Sequence, residues 1–172
     1  MFKRKYSDAF KTLLGRNLRQ GDGFNPTELA QCEKRLKLKL PRAFREYYEF
    51  AGKVPINTEH NILYHPKKLK KLKGKLLFME ENQRVVFWGL DVQEPNQADP
   101  QVFQTDNSEP LEWYSEEKSF SEFILSMWRW LRGLPDLHQT GKVTPHENQL
   151  RRFRRLSGNW KFVDNSLATN SI

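Results

Sequence analysis

The chain predicts an α+β domain. Its first 51 residues carry apolar side chains at helical spacing. The stretch from Lys75 to Tyr114 breaks into short runs rich in Val, Phe and Trp, and a capped helical segment opens at Ser119. Helices, then a meander of strands, then one helix keep the two kinds of element apart. That order implies a central antiparallel sheet flanked by N-terminal helices and one C-terminal helix.

Ser7 to Arg19 reads as an amphipathic helix through Phe10, Leu13, Leu14 and Leu18, stopped at Gln20-Gly21-Asp22-Gly23. Asn25-Pro26-Thr27-Glu28 is a helix start: Asn25 can cap, Pro26 suits the first helical position, and Glu28 can reach back to the cap. Leu29, Cys32 and Leu36 supply its apolar face. Leu40-Pro41 marks a break. Arg42 to Ala51 is the next helix, with Phe44, Tyr47, Tyr48 and Ala51 on one face and Gly52 as its stop. Asn61 to Tyr64 reads as a short strand. Lys67 to Lys75, with six lysines among nine residues, reads as a solvated helix or loop. Strands are expected at Lys75–Met79, Arg84–Gly89, Gln101–Gln104 and Leu111–Tyr114, with Glu80 to Gln83 as a hairpin connection. Ser119-Phe120-Ser121-Glu122 is a capping box opening a helix through Arg132, striped by Phe120, Phe123, Ile124, Met127, Trp128 and Leu131. The chain thus divides into an N-terminal helix (1–24), a main domain (25–133) and a polar, partly disordered extension (134–172) holding a basic turn, Leu150 to Leu156.

Composition narrows the function. Aromatics make up 13% of the chain, enough to build a core although only 37% is hydrophobic. No run approaches the ~20 apolar residues of a membrane helix, and no apolar stretch follows the basic start as a secretory leader would require. Cys32 is the single cysteine, which excludes a disulfide framework and a cysteine metal cluster. A cytoplasmic protein is the expectation. The net charge is +8, unevenly spread: Glu80 to Glu122 holds eleven acidic and two basic residues, net −9, so the remainder is +17. A uniform nucleic-acid binder has no use for an acidic centre, which repels phosphate. The segment is expected to be solvated surface or to face a basic protein partner.

The segments "LPRAFREYYEFAG", "FMEENQRVVFWGL", "ADPQVF" and "EWYSEEKSFSEFILSMW" carry an ordered set of motifs. These are Leu40-Pro41 before a helix ending at Gly52, and Glu81-Asn82-Gln83 before a strand with Trp88. Asp99-Pro100 with Val102 follows, then Trp113 with Phe120-Ser121-Glu122-Phe123. Over residues 25 to 133 this set resembles the SUKH superfamily, which groups cell-wall assembly regulators, Syd proteins and herpesviral relatives. The resemblance implies an α+β fold and a binding role without catalysis. Bacterial members are immunity proteins that bind and neutralise toxins of contact-dependent or polymorphic systems; eukaryotic members are interaction modules. Two features depart from the pattern. Many immunity proteins against nuclease toxins are acidic, whereas this chain is basic overall, and the extension after Pro135 lies outside the resemblance.

Other chemistry fits less well. Asp106 followed by Glu116-Glu117-Lys118 imitates a metal-dependent nuclease, but Glu116 to Lys118 is expected in a loop, where Glu and Lys do not share a face. His60, His65, His138 and His146 lack metal-pair spacing. No metal site or cofactor is expected. Trp88 and Trp113 read as packing residues, and Asp99-Pro100 as a turn. The expected function is a non-catalytic protein-binding domain, with an immunity protein against a toxin as its specific form. Glu80, Glu81, Asp106, Glu109, Glu112, Glu116 and Glu117 are the candidate contact residues. The alternative is a basic nucleic-acid-associated protein, resting on Lys67 to Lys75 and Arg151 to Arg155, or a regulatory interaction module.

Overall fold

The computed structural model describes residues 2–133 apart from 95 and 107, and the Glu117 side chain is also outside the description. The chain runs through helices α1 (Phe2–Leu14), α2 (Pro26–Leu36), α3 (Arg42–Ala51) and α4 (Ile56–Glu59). Strand β1 (Asn61–Leu63), a 3-10 turn (Pro66–Lys68) and strands β2 (Lys70–Leu72), β3 (Lys75–Glu81) and β4 (Val86–Asp91) follow. Strands β5 (Gln101–Asp106) and β6 (Tyr114–Ser119) then lead into α5 (Phe120–Leu131). All pairings are antiparallel, in the order β1-β3-β4-β5-β6, with β2 also on β3. This is the expected α+β architecture. No helix among the described residues is long and apolar enough to cross a membrane.

The core lies between one sheet face and the helices. Phe44 of α3 stacks on Tyr48 at 4.3 Å and meets Phe120 of α5 at 5.0 Å. Phe78 of β3 contacts Phe120 at 5.5 Å, and Trp128 closes on Tyr47 at 5.0 Å. Burying each such ring contributes roughly 1.5–3 kcal/mol. Among the buried polar groups, Asn57 is bonded on both sides: its Oδ1 accepts from the Tyr47 hydroxyl and from Trp128 Nε1, while Nδ2 donates to the Ala51 carbonyl at 2.7 Å. With its acceptor and donor both used, a buried amide is tolerated.

Several local expectations are met. Asn25 Oδ1 accepts from the Thr27 N–H at 2.9 Å and Glu28 accepts from the Asn25 N–H at 3.1 Å, closing the box that starts α2. The α3 bounds are those expected. Its stop differs in reason, because Gly52 has φ −60° and needs no left-handed freedom. A Cβ there would lie 2.6 Å from the Phe24 ring, so glycine is required by packing.

Other expectations are corrected. The first helix spans Phe2–Leu14, not 7–19, and ends at Gly15 in the left-handed region (φ 63°). It contributes Tyr6 and Phe10, both fully buried, to the core against α3 and α5. The lysine run is helical only at its start, in the 3-10 turn; the rest is the β2–β3 hairpin, turning on Lys73 (φ 42°) and Gly74 (φ 80°). Positive φ at both central residues is the two-residue turn that matches strand twist. Glu80 and Glu81 end β3 instead of forming the turn, and the strand expected at Leu111–Tyr114 is Tyr114–Ser119. Glu116 to Lys118 therefore lies on a strand, not in a loop. The extension from 134, with His138, His146 and Arg151 to Arg155, lies outside the described residues.

Candidate functional site

Part of the motif set, Leu40-Pro41, Asp99-Pro100 and Phe120-Ser121, meets at one place, where the first turns of α3 and α5 face segment 98–100. The Ala98 carbonyl accepts from the Ala43 N–H at 2.8 Å, and the Pro100 carbonyl accepts from the Phe120 N–H at 2.9 Å. Between them the Asp99 carboxylate takes the Ser121 N–H at 2.9 Å and its hydroxyl at 2.6 Å. Two helix N-termini, each carrying partial positive charge, are thus satisfied by one short segment. Pro41 is the residue before α3, and Leu40 is buried beside it. Glu122 completes the start of α5 by accepting from the Ser119 N–H at 3.2 Å. The sequence suggested a turn at Asp99-Pro100; its capping role requires the tertiary fold.

The seven candidate carboxylates separate into those tied to the fold and those facing solvent. Glu116 is 2% exposed, and its Oε1 accepts from Trp88 Nε1 at 2.9 Å. Glu81 is buried and accepts from the N–H groups of Gln83 and Val85, holding the β3–β4 turn. Glu80 takes the Tyr64 hydroxyl at 2.6 Å and lies 3.5 Å from Arg84. Burial first, and then this carboxylate, push the Tyr64 hydroxyl well above the ordinary tyrosine range. Asp106 accepts from Ser108 and turns the chain out of β5. Glu109 and Glu112 are exposed; Glu112 accepts from the Tyr114 hydroxyl at 2.9 Å, which raises that hydroxyl's pKa. Glu117 has its backbone in β6.

The remaining acids of the segment are divided in the same way. Asp91 pairs with Lys75 at 2.8 Å, Asp99 and Glu122 serve α5, and Glu94 is exposed. Many carboxylates of the segment are thus engaged within the fold, and among the described side chains Glu94, Glu109 and Glu112 are exposed.

Segment 108–113 covers the sheet face opposite the helices. Trp88 packs toward Phe123 of α5 at 6.0 Å, so its neighbour Gly89 faces the other way. Trp113 lies on Gly89: a Cβ there would stand 2.8 Å from the indole. Lys75 fills the same layer, 4.1 Å above the Phe103 ring, and Lys73 Nζ donates to the Leu111 carbonyl at 3.1 Å. The segment delivers the chain to β6, which among the described residues pairs with β5 alone and begins with Tyr114, 42% exposed.

The strand assignment puts Glu116 and Lys118 on one face, the feature the nuclease pattern needs. The register then separates the third member. Gln104 is opposite Tyr114, so Asp106 and Glu116 lie on opposite sides of that pair, about 13 Å apart along the strands. Lys118 Nζ donates to Ser126 of α5 at 3.0 Å. His65 Nδ1 accepts from the Lys67 N–H, and His60 meets Trp130 edge-on at 5.2 Å. Among the described residues no group of three His, Cys, Asp or Glu side chains is placed to hold a metal. Comparison with family models, with curated proteins and with solved structures gives no match.

Proposed function

We propose that this chain is a non-catalytic protein-binding domain of the SUKH type, and that it acts in the cytoplasm as an immunity protein occluding a toxin. The observation that carries the binding role is the corner formed by segment 108–113 and β6. Glu109, Glu112 and Tyr114 are exposed together at the start of a strand that, among the described residues, has one open edge. A tyrosine beside carboxylates on a rigid sheet offers an aromatic anchor and a charge that steers a basic partner. The family reading is supported by the antiparallel sheet with flanking helices and by the way Asp99, Pro100 and Phe120 join α3 and α5.

The test is co-expression with a toxin domain encoded beside this gene. Wild type is expected to protect the cells and to capture the toxin. The surface variant Glu109→Lys/Glu112→Lys/Tyr114→Ala, with an unchanged circular dichroism melt, is expected to lose protection and to associate more slowly. Full protection by that variant would refute this corner as the contact surface.

A further inference from the structure

A second surface lies where the C-terminal end of α2, the 3-10 turn and β2 come together. Arg35 holds them: its Nη2 donates to the Pro66 carbonyl and to the Leu69 carbonyl, each at 2.9 Å. That clamp sets Lys67, Lys68, Lys70 and Lys71 beside the last turn of α2, which carries Lys34 and Lys37. All six are exposed.

Their charge is not neutralised locally. Arginines elsewhere are engaged: Arg16, Arg42, Arg45, Arg84 and Arg132 each hold a carboxylate. The six lysines make no ion pair among the described residues. The acids of α2 serve other groups. Glu33 takes Arg45 at 2.6 Å and the Leu40 N–H at 2.9 Å, and Glu28 takes the Asn25 N–H.

The patch also lacks what a protein interface needs. Lysine is depleted in such interfaces, which carry an apolar or aromatic centre. Among the described residues the large exposed hydrophobics are Val85 and Tyr114, neither of them here, and Leu69 is fully buried. What remains is a set of cations on a rigid backbone, with Lys70 and Lys71 projecting from the two faces of β2. From Lys67 to Lys71 the chain spans at most ~14 Å, and duplex nucleic acid presents about eight charges over that length. We propose that this surface binds the phosphate backbone of duplex nucleic acid without reading sequence. Among the described residues no exposed aromatic accompanies the lysines to stack on bases, so the contact these residues offer is with phosphate. The inference is independent of the toxin-binding corner and uses none of its residues.

The test uses the full chain and a fluorescent duplex of random sequence, read by anisotropy. Binding at 50 mM salt is expected, weakening about 150-fold by 200 mM if four lysines each neutralise one phosphate. The variant Lys67→Gln/Lys68→Gln/Lys70→Gln/Lys71→Gln is expected to lose affinity more than tenfold at 50 mM and to flatten the salt dependence, with an unchanged melt. A matched variant removing Arg151, Arg152, Arg154 and Arg155 controls for net charge alone. Three results would overturn the proposal: no binding at 50 mM, equal affinity of the lysine variant and wild type, or a loss confined to the arginine variant. Anionic phosphatidylserine vesicles complete the set. Lysine-dependent capture by vesicles without duplex binding would assign the patch to a membrane surface and reject nucleic acid.

Discussion

Glu116 offers the sharpest test, because its charge suggests a contact residue and its position makes it part of the core. Its carboxylate receives the Trp88 indole N–H at 2.9 Å, and both residues are buried. Glu116→Gln keeps an acceptor and exchanges a charge-assisted bond for a neutral one, a loss of about 1 kcal/mol. Glu116→Leu strands the indole N–H, costing about 1–3 kcal/mol. Glu116→Lys brings an ammonium into the same site and costs several kcal/mol. In urea, with an m-value of about 1.5 kcal/mol/M, a 2 kcal/mol loss lowers the midpoint by about 1.3 M. Equilibrium urea unfolding followed by far-ultraviolet circular dichroism should rank the variants wild type, Gln, Leu, Lys. A Glu116→Leu midpoint equal to wild type at unchanged m would refute the reasoning. The ranking also matters for binding experiments, since partner loss on reversing Glu116 would report unfolding.

Two further outcomes are expected. Gly89→Ala places a methyl group 2.8 Å from the Trp113 indole and should destabilise by roughly 1–3 kcal/mol; in the Trp113→Ala background the same change should cost much less, read as a coupling energy in thermal or urea melts. At acid pH, the bidentate Arg16 fork holds the Asp22 carboxyl below its ordinary 3.8, against burial and with help from the Arg19 N–H. Glu46 and Asp91 are also lowered: burial raises them, but bonds from Arg42 and Lys75 outweigh it. A folded-state pKa below the unfolded one contributes its full stability above the unfolded value and loses it as pH falls through the folded one. Stability should therefore decline below about pH 4, and Asp22→Asn should make that decline shallower in melts across pH 2 to 7.

The parts of the fold written in local chemistry were legible in the sequence. The Asn25 box and the amphipathic faces of α3 and α5 depend on residues a few positions apart, and each was placed close to its true bounds. The first helix was displaced because Leu14 and Leu18 continue a helical pattern past Gly15, while the buried pair, Tyr6 and Phe10, sits nearer the start. The β2–β3 hairpin was hidden by lysines at strand positions, where a short edge strand tolerates charge. β6 was missed because Tyr-Ser-Glu-Glu-Lys-Ser is polar, and the partners that make it a strand, Trp88 and β5, are distant in sequence. The candidate site followed suit. Counting carboxylates located an acidic segment, but only the tertiary bonds distinguish Glu81 and Glu116, which hold the structure, from Glu109 and Glu112, which face solvent.

The packing of α1 against α5 has a consequence for how the chain is made. Lys5 Nζ donates to Ser121 Oγ across 116 residues, and Phe10 meets Trp128 at 3.9 Å. At ~5–20 residues per second, the first helix leaves the ribosome about 6 to 23 seconds before the residues that cover it. A thirteen-residue helix is marginal alone in water. During synthesis Tyr6 can be met by α3, through Tyr47 and Ala43, while Phe10 waits for Trp128 of α5. That interval is the period in which this otherwise well-buried ring is accessible to a chaperone.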